Sequence, residues 1–189
     1  NCARCMRKTH PLADIILSTY GLPEDSMNYI ITPQSSRAKK IFQEFEWIKK
    51  PIDEKLSSAY DSEANSIIEN CSTARETELS KWASEEKKLD ILSKCTGCGL
   101  CVTSCPVCFC VSCNLLPQVK AKEISTLTFL MTRFSHVGDT CIECGRCGSN
   151  CPVNIPLTLV FQTLGNRFKE KRKYEAGADL TSKPLHLDI

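Results

Sequence analysis

One stretch occurs twice in this chain and decides its fold: Cys95-Thr96-Gly97-Cys98-Gly99-Leu100-Cys101-Val102-Thr103-Ser104-Cys105-Pro106 and Cys141-Ile142-Glu143-Cys144-Gly145-Arg146-Cys147-Gly148-Ser149-Asn150-Cys151-Pro152. Both copies have the cysteine spacing C-x2-C-x2-C-x3-C, with a proline directly after the last cysteine. Three thiolates separated by two residues each can wrap one loop around three corners of an iron–sulfur cube, and the glycines between them let the backbone turn tightly. The two copies therefore predict two [4Fe–4S] clusters.

The fourth cysteine of each copy stands apart from the other three, and the proline after it favours the start of a helix that aims this thiolate at the other cluster. This is the spacing of bacterial ferredoxins, which both copies resemble. We therefore expect crossed ligation, in which each cluster takes three cysteines from one copy and the last cysteine of the other: Cys95, Cys98, Cys101 and Cys151 for one cluster, and Cys141, Cys144, Cys147 and Cys105 for the other. The alternative is zinc held by two C-x2-C pairs, which leaves the third and fourth cysteines unexplained.

Six of the 14 cysteines lie outside the two copies, and all but Cys71 fall into two groups. Cys108, Cys110 and Cys113 follow the first copy at once, and Cys2 and Cys5 form a C-x2-C pair at the start of the chain. These five thiols predict a third metal centre, and our hypothesis is a third [4Fe–4S] cluster that uses the trio with Cys2 or Cys5. A zinc site at the same residues and reduced thiols without metal are the alternatives.

Bulk properties limit the class of protein. A chain of 189 residues is long enough for one domain or two small ones. Its formal net charge of +2 gives no reason to expect nucleic acid or an anionic membrane surface as a partner. No stretch reaches the roughly 18 apolar residues of a membrane-spanning helix, and the first residues lack the layout of a secretion signal. In such a chain the C-x2-C spacing favours metal ligation over disulfides, and with it a reducing cytoplasm.

The composition divides the chain into four segments. Residues 1–34 combine the first Cys pair with short apolar runs at 13–17 and 29–31, and residues 35–93 read as a charged helical arm that docks on a partner or serves as a solvated connector. Residues 94–168 form the two-cluster domain, with a buried helix over 124–134, and residues 169–189 form an extended tail. The predicted fold class is α+β: a ferredoxin-like domain with short antiparallel hairpins, extra helices and an N-terminal helical arm.

Sequence beyond the two copies resembles a particular family. The shared features are Cys-Pro-Val-Cys-Phe-Cys-x2-Cys over 105–113, the run Phe129-Leu130-Met131-Thr132-Arg133-Phe134-Ser135-His136, and Cys-Pro-Val-Asn-Ile-Pro-Leu over 151–157. They resemble the C-terminal part of the formate dehydrogenase beta-subunit family, with relatives among the beta subunits of deazaflavin-reducing hydrogenases. Asn1-Cys2-Ala3-Arg4-Cys5, followed by Leu12-Ala13-Asp14-Ile15, is similar to a segment near the end of that family's flavin domain. The resemblance implies that residues 1–34 end such a domain and that the chain is the C-terminal part of a longer polypeptide.

The resemblance also implies a function: an iron–sulfur subunit that relays single electrons within a multi-subunit anaerobic redox complex. Its partners would be a catalytic subunit of the formate dehydrogenase or hydrogenase alpha type, and a heterodisulfide-reductase-like or flavin subunit. No catalytic residue is predicted, because the chain has no G-x-G-x-x-G run, P-loop or nucleophile elbow. One alternative is part of a flavin- and deazaflavin-dependent oxidoreductase beta subunit whose FAD domain lies outside this stretch. A redox sensor is another, but the sequence has no helix-turn-helix pattern or basic patch.

Overall fold

The computed structural model describes residues 2–6, 12–44, 52–108, 110–179 and 181–187, with the side chain of Cys2 excluded. The chain divides into two compact units, Cys2–Arg75 and Glu76–Ile189. The boundary between them falls inside one long helix. The four segments predicted from composition (1–34, 35–93, 94–168 and 169–189) do not coincide with these two units. The division into four segments stays a prediction.

The first unit contains an antiparallel hairpin. Strands β1 (Ile15–Ser18) and β2 (Ile30–Pro33) pair with Ile15 opposite Pro33, close to the two apolar runs that the sequence singles out. Helix α1 (Ser36–Glu44) follows directly, and Ser35 caps it because its hydroxyl accepts a hydrogen bond of 3.1 Å from the backbone N–H of Ala38.

Helix α2 (Glu54–Ser84) begins in the first unit, where the Asp53 carboxylate accepts a 2.7 Å hydrogen bond from the backbone N–H of Leu56. Gly21, in the turn after β1, donates its backbone N–H to Glu63 on this helix at 2.6 Å. Its φ is +76°, and a Cβ there would lie 2.7 Å from the backbone nitrogen of Tyr60, so only glycine fits. Helix α2 covers most of the charged stretch, and its side chains are mostly exposed or half-buried.

The second unit contains helices and loops but no strand among its described residues. After the end of α2 it contains α3 (Lys88–Ser93), α4 (Leu100–Thr103), α5 (Leu115–Lys120), α6 (Thr126–Val137), α7 (Arg146–Ser149), α8 (Leu157–Arg172) and a 3-10 turn at Leu185–Leu187. The α+β class with extra helices is confirmed. The strand pair lies in the first unit, however, so helices rather than hairpins flank the cysteine motifs.

Helices α6 and α8 supply the core of the second unit. Phe129 and Leu130 on α6 are buried completely or nearly so, as expected for the apolar run. Phe134 on α6 meets Phe161 on α8 edge to face, with ring centroids 5.4 Å apart. Six motif or neighbouring cysteines pack against this core: Cys95, Cys108, Cys113, Cys141, Cys147 and Cys151. The core therefore forms one wall for the cysteine motifs.

The C-terminal tail is attached to the end of α6 through one buried carboxylate. Asp139 Oδ2 accepts a hydrogen bond from the backbone N–H of His186, at 2.9 Å, and pairs with His186 Nδ1 at 2.8 Å. This contact holds the tail against the second unit.

Candidate metal centre

The two cysteine motifs adopt the same local conformation. Gly99 and Gly145, which each follow a second cysteine, have φ values of +80° and +77° and stand at the N-caps of α4 and α7. A side chain at either position would be strained by this left-handed backbone. The short helices α4 and α7 pack against each other, so the repeated motifs form adjoining halves of one structure.

One cavity is lined by four cysteines: Cys95, Cys98, Cys101 and Cys151. Three come from the first motif and the last comes from the second. The remaining wall is mostly apolar and contains no charged side chain; its large apolar residues are Leu100, Phe129, Leu130, Val153, Ile155 and Leu157. The structure thus brings together the first predicted ligand set.

A second cavity is lined by the other four: Cys105, Cys141, Cys144 and Cys147. Again the last cysteine of one motif joins three of the other. The walls of the two cavities differ, because Arg133, Glu143 and Thr158 also line this second cavity.

Backbone N–H groups point at three of the sulfurs. Gly97 donates to Cys95 Sγ, Glu143 to Cys141 Sγ and Ile155 to Cys151 Sγ, each at 3.4 Å. Hydrogen bonds of this kind favour the negative thiolate and are one of the protein's means of setting a cluster's reduction potential.

Burial opposes the thiolate form at four of the motif cysteines. It raises the pKa of Cys101 to about 11 and that of Cys141 to about 12, and it raises the pKa of Cys95 and Cys147 as well. Four cysteine sulfurs around each cavity therefore fit a strongly positive occupant, such as iron, that holds them deprotonated. In the described part of the chain, no group of three or more Cys, His, Asp or Glu side chains has the geometry to hold a single metal ion.

The polar side chains of the second cavity also fit a cluster. Arg133 Nε and Thr158 Oγ1 are buried and have no hydrogen-bond partner among the described residues. Cluster sulfurs would accept hydrogen bonds from such donors. Gly148 makes room for this hydroxyl, since a Cβ there would lie 2.6 Å from Thr158 Oγ1. Sequence reasoning missed both donors; the one signal was an arginine within the apolar run of α6.

Arg133 is almost fully buried, with 3% of its surface exposed. Its Nη2 donates to the backbone carbonyl of Cys101 at 3.1 Å. Burial alone would lower its pKa, but the charge of Cys105, a side-chain hydrogen bond to Cys105 and the charges of Cys108 and Cys101 outweigh burial and raise that pKa.

The predicted third centre is not assembled by residues of a single unit. Cys108 and Cys113 are half-buried against the core of the second unit, and Cys110 is exposed. Cys5 belongs to the first unit, and the side chain of Cys2 lies outside the described residues. A third cluster, a zinc site and reduced thiols all stay open as alternatives at these positions.

Comparison with known proteins finds an iron–sulfur domain in the region of the cysteine motifs. Residues 91–155 match the family described as a 4Fe-4S dicluster domain, and this match contains all eight motif cysteines. The F420-dependent formate dehydrogenase subunit beta of Methanocaldococcus jannaschii is 29% identical over 194 residues, covering 98% of the chain and 51% of the relative. The chain is thus similar over nearly its whole length to the beta subunit of a formate dehydrogenase, and its residues 91–155 match an iron–sulfur domain.

Two further relatives extend the comparison. The F420-dependent formate dehydrogenase 1 subunit beta of Methanococcus maripaludis is 28% identical over 97% of the chain and 50% of its own length. A component of the ion-translocating oxidoreductase complex of Buchnera aphidicola is 40% identical over 41% of the chain and 15% of its own length. The chain therefore spans about half the length of the two beta subunits. Within the described residues, no helix has both the length and the apolar character needed to cross a membrane.

Proposed function

We propose that this chain holds two [4Fe–4S] clusters by crossed ligation and relays single electrons between partner subunits. The observation that carries the proposal is the pair of cavities, each lined by three cysteines of one motif and the last cysteine of the other. A cluster with four thiolate ligands changes by one electron and offers no open coordination position to a substrate, which supports a relay.

The residues around the cavities have three different roles in such a relay. Phe129 and Leu130 exclude water from one side, and backbone N–H groups hold the thiolates of Cys95, Cys141 and Cys151 in place. Cys98 and Cys144 are exposed, so each cavity has one edge at the surface. Two exposed edges, one per cluster, suit electron entry at one and exit at the other.

The partners belong to the proposal. The names of the relatives describe subunits of formate dehydrogenases and of an ion-translocating oxidoreductase complex. We infer a catalytic subunit of the formate dehydrogenase or hydrogenase alpha type as one electron partner, and a heterodisulfide-reductase-like or flavin subunit as the other. Copurification of the anaerobically isolated complex, with identification of the bound chains, tests this assignment; a chain that copurifies with no redox subunit would contradict it.

The cofactor content tests the function itself. The full chain, purified anaerobically, is expected to contain iron and inorganic sulfide in equal amounts, and to give the electron paramagnetic resonance signal of reduced [4Fe–4S] clusters after dithionite treatment. Zinc at the eight motif cysteines, with no paramagnetic iron after reduction, would overturn the proposal.

A second candidate function is part of a flavin- and deazaflavin-dependent oxidoreductase, to which this stretch supplies the clusters. It is favoured by the match with an F420-dependent subunit over 98% of the chain. Bound FAD in the intact complex, reduced by a deazaflavin at a rate that falls when cluster cysteines are replaced, would support it. A complex without flavin would exclude it.

The third metal centre is a proposal of its own, with Cys108, Cys110 and Cys113 and either Cys2 or Cys5 as ligands. It is supported by the three closely spaced thiols directly after the first motif. Replacing all three by alanine is expected to remove one cluster's share of iron and leave the rest. Loss of one zinc instead would identify a zinc site, and no change in either metal would indicate thiols without metal.

A further inference from the structure

The two cluster cavities differ in charge. The walls of the cavity of Cys95, Cys98, Cys101 and Cys151 contain no charged side chain. The cavity of Cys105, Cys141, Cys144 and Cys147 contains Arg133 and Glu143. The first is the neutral cavity and the second is the arginine cavity. Equal cysteine sets in unequal surroundings give otherwise identical clusters different reduction potentials.

Arg133 dominates the charge of the arginine cavity. Its guanidinium is permanently charged and only 3% of the residue is exposed, so water screens it weakly. Glu143 is half-buried, and its carboxylate lies against α8, where a Cβ on Gly165 would be 2.7 Å from Glu143 Oε1. The more exposed carboxylate is screened more strongly than the buried guanidinium, so the combined contribution of these two side chains to the field in the cavity is positive.

Hydrogen bonding adds to this difference. Arg133 Nε and Thr158 Oγ1 have no partner among the described residues and both residues line the arginine cavity. Arg133 is held in place by its bond to the Cys101 carbonyl, which leaves its remaining N–H groups toward Cys105. Donors to sulfur stabilise the more negative, reduced form of a cluster.

We propose that Arg133 raises the reduction potential of the cluster in the arginine cavity above that of its neighbour and so sets the downhill direction of electron flow within the pair. On reduction this cluster accepts one electron, and the guanidinium stabilises the added negative charge without changing its own protonation. The electron then rests preferentially in the arginine cavity, and the neutral cavity holds the stronger reductant. This inference rests on the proposed pair of clusters.

The test is a redox titration of the full chain, followed by electron paramagnetic resonance, with the variants Arg133→Gln, Arg133→Lys and Arg146→Gln. In the unsubstituted chain we expect two separate midpoint potentials. Arg133→Gln is expected to lower the higher midpoint potential by about 59 mV or more, which is a tenfold change in the reduced-to-oxidised ratio for a one-electron couple. It is expected to lower the other midpoint by a smaller amount, because Arg133 also contacts the backbone carbonyl of Cys101 in the neutral cavity. Arg133→Lys retains the positive charge and is expected to retain most of the difference between the two midpoint potentials.

Arg146 is the matched control, because it is an exposed arginine beside the same cavity on α7. Its replacement removes the same charge from a solvated position, and both midpoints are expected to change by less than threefold. Equal shifts in Arg133→Gln and Arg146→Gln, or an unchanged higher midpoint in Arg133→Gln, would overturn the inference.

Iron and sulfide content separates the two ways in which the test can fail. If the unsubstituted chain contains no clusters, the proposed function fails. If it contains both clusters but they titrate at one common potential, only the inference about Arg133 fails, and this result decides the question even where Arg133→Gln does not fold.

Discussion

Gly97 and Glu143 occupy the same position in the two cysteine motifs, and both have a left-handed backbone, with φ values of +69° and +57°. Each donates its backbone N–H to the sulfur two residues earlier, at 3.4 Å. Left-handed backbone costs a non-glycine residue about 1–2 kcal/mol. The conformation therefore follows from the wrapping of the loop around the cysteine sulfurs rather than from the residue type.

Gly97→Ala is expected to reduce the iron content and the thermal stability of the chain. The added Cβ would lie 2.9 Å from Val119 Cγ2 in a backbone conformation that already disfavours alanine. Gly177→Ala is the control, since Gly177 has the same φ of +69° and lies outside the cysteine motifs. The control should cost about 1–2 kcal/mol of unfolding free energy and no iron. Iron analysis and thermal unfolding check both; equal iron loss in the two variants would contradict the expectation.

Phe129→Ala is expected to destabilise the second unit by about 3–5 kcal/mol, because it removes a completely buried ring from the core and from the wall of the neutral cavity. The neutral-cavity cluster should also become more sensitive to oxygen, since water and oxygen gain access. Met131 lies on the exposed side of the same helix, with 41% of its surface accessible, and Met131→Ala should change stability by less than about 1 kcal/mol. Chemical unfolding and the rate of bleaching in air are the measurements. Similar effects of the two substitutions would refute the assigned core.

Much of this arrangement could be predicted from the sequence. The spacing of Cys95 to Cys105 and of Cys141 to Cys151 is local and carries the cluster chemistry directly, and the apolar run of α6 reads as a buried helix by its composition. Arg133 could not be assigned, because its neighbours depend on how α6 packs against a loop that is distant in sequence. Thr158 was missed for the same reason, since its place beside Gly148 follows from the packing of α8 on α7.

Asp139→Ala is expected to release the C-terminal tail, because one carboxylate oxygen holds both the backbone N–H and the ring of His186. Amide exchange at His186 should accelerate by about tenfold or more, which corresponds to about 1.4 kcal/mol of lost protection. His186→Ala retains the backbone hydrogen bond and should have a smaller effect. Hydrogen exchange followed by mass spectrometry checks the order; an equal or larger effect of His186→Ala would contradict it.

Iron binding is expected to tighten as the pH rises from 7 to 9. Burial raises the pKa of Cys101 to about 11 and that of Cys141 to about 12, so both thiols carry protons over this range in the iron-free chain. Ligation displaces these protons, and a reaction that releases protons becomes more favourable at higher pH. Anaerobic competition with a chelator of known pH dependence measures the trend. An affinity independent of pH would show that the thiols are already ionised before iron binds.

Crossed ligation is tested most directly by the iron content of paired alanine variants. Cys98→Ala and Cys151→Ala affect the same cavity, so their combination should lose no more iron than either single variant. Cys144→Ala and Cys151→Ala affect different cavities, and their combination should lose the iron of both clusters. The opposite pattern, with full loss in the first pair and no added loss in the second, would mean that each motif holds its own cluster and would contradict the account.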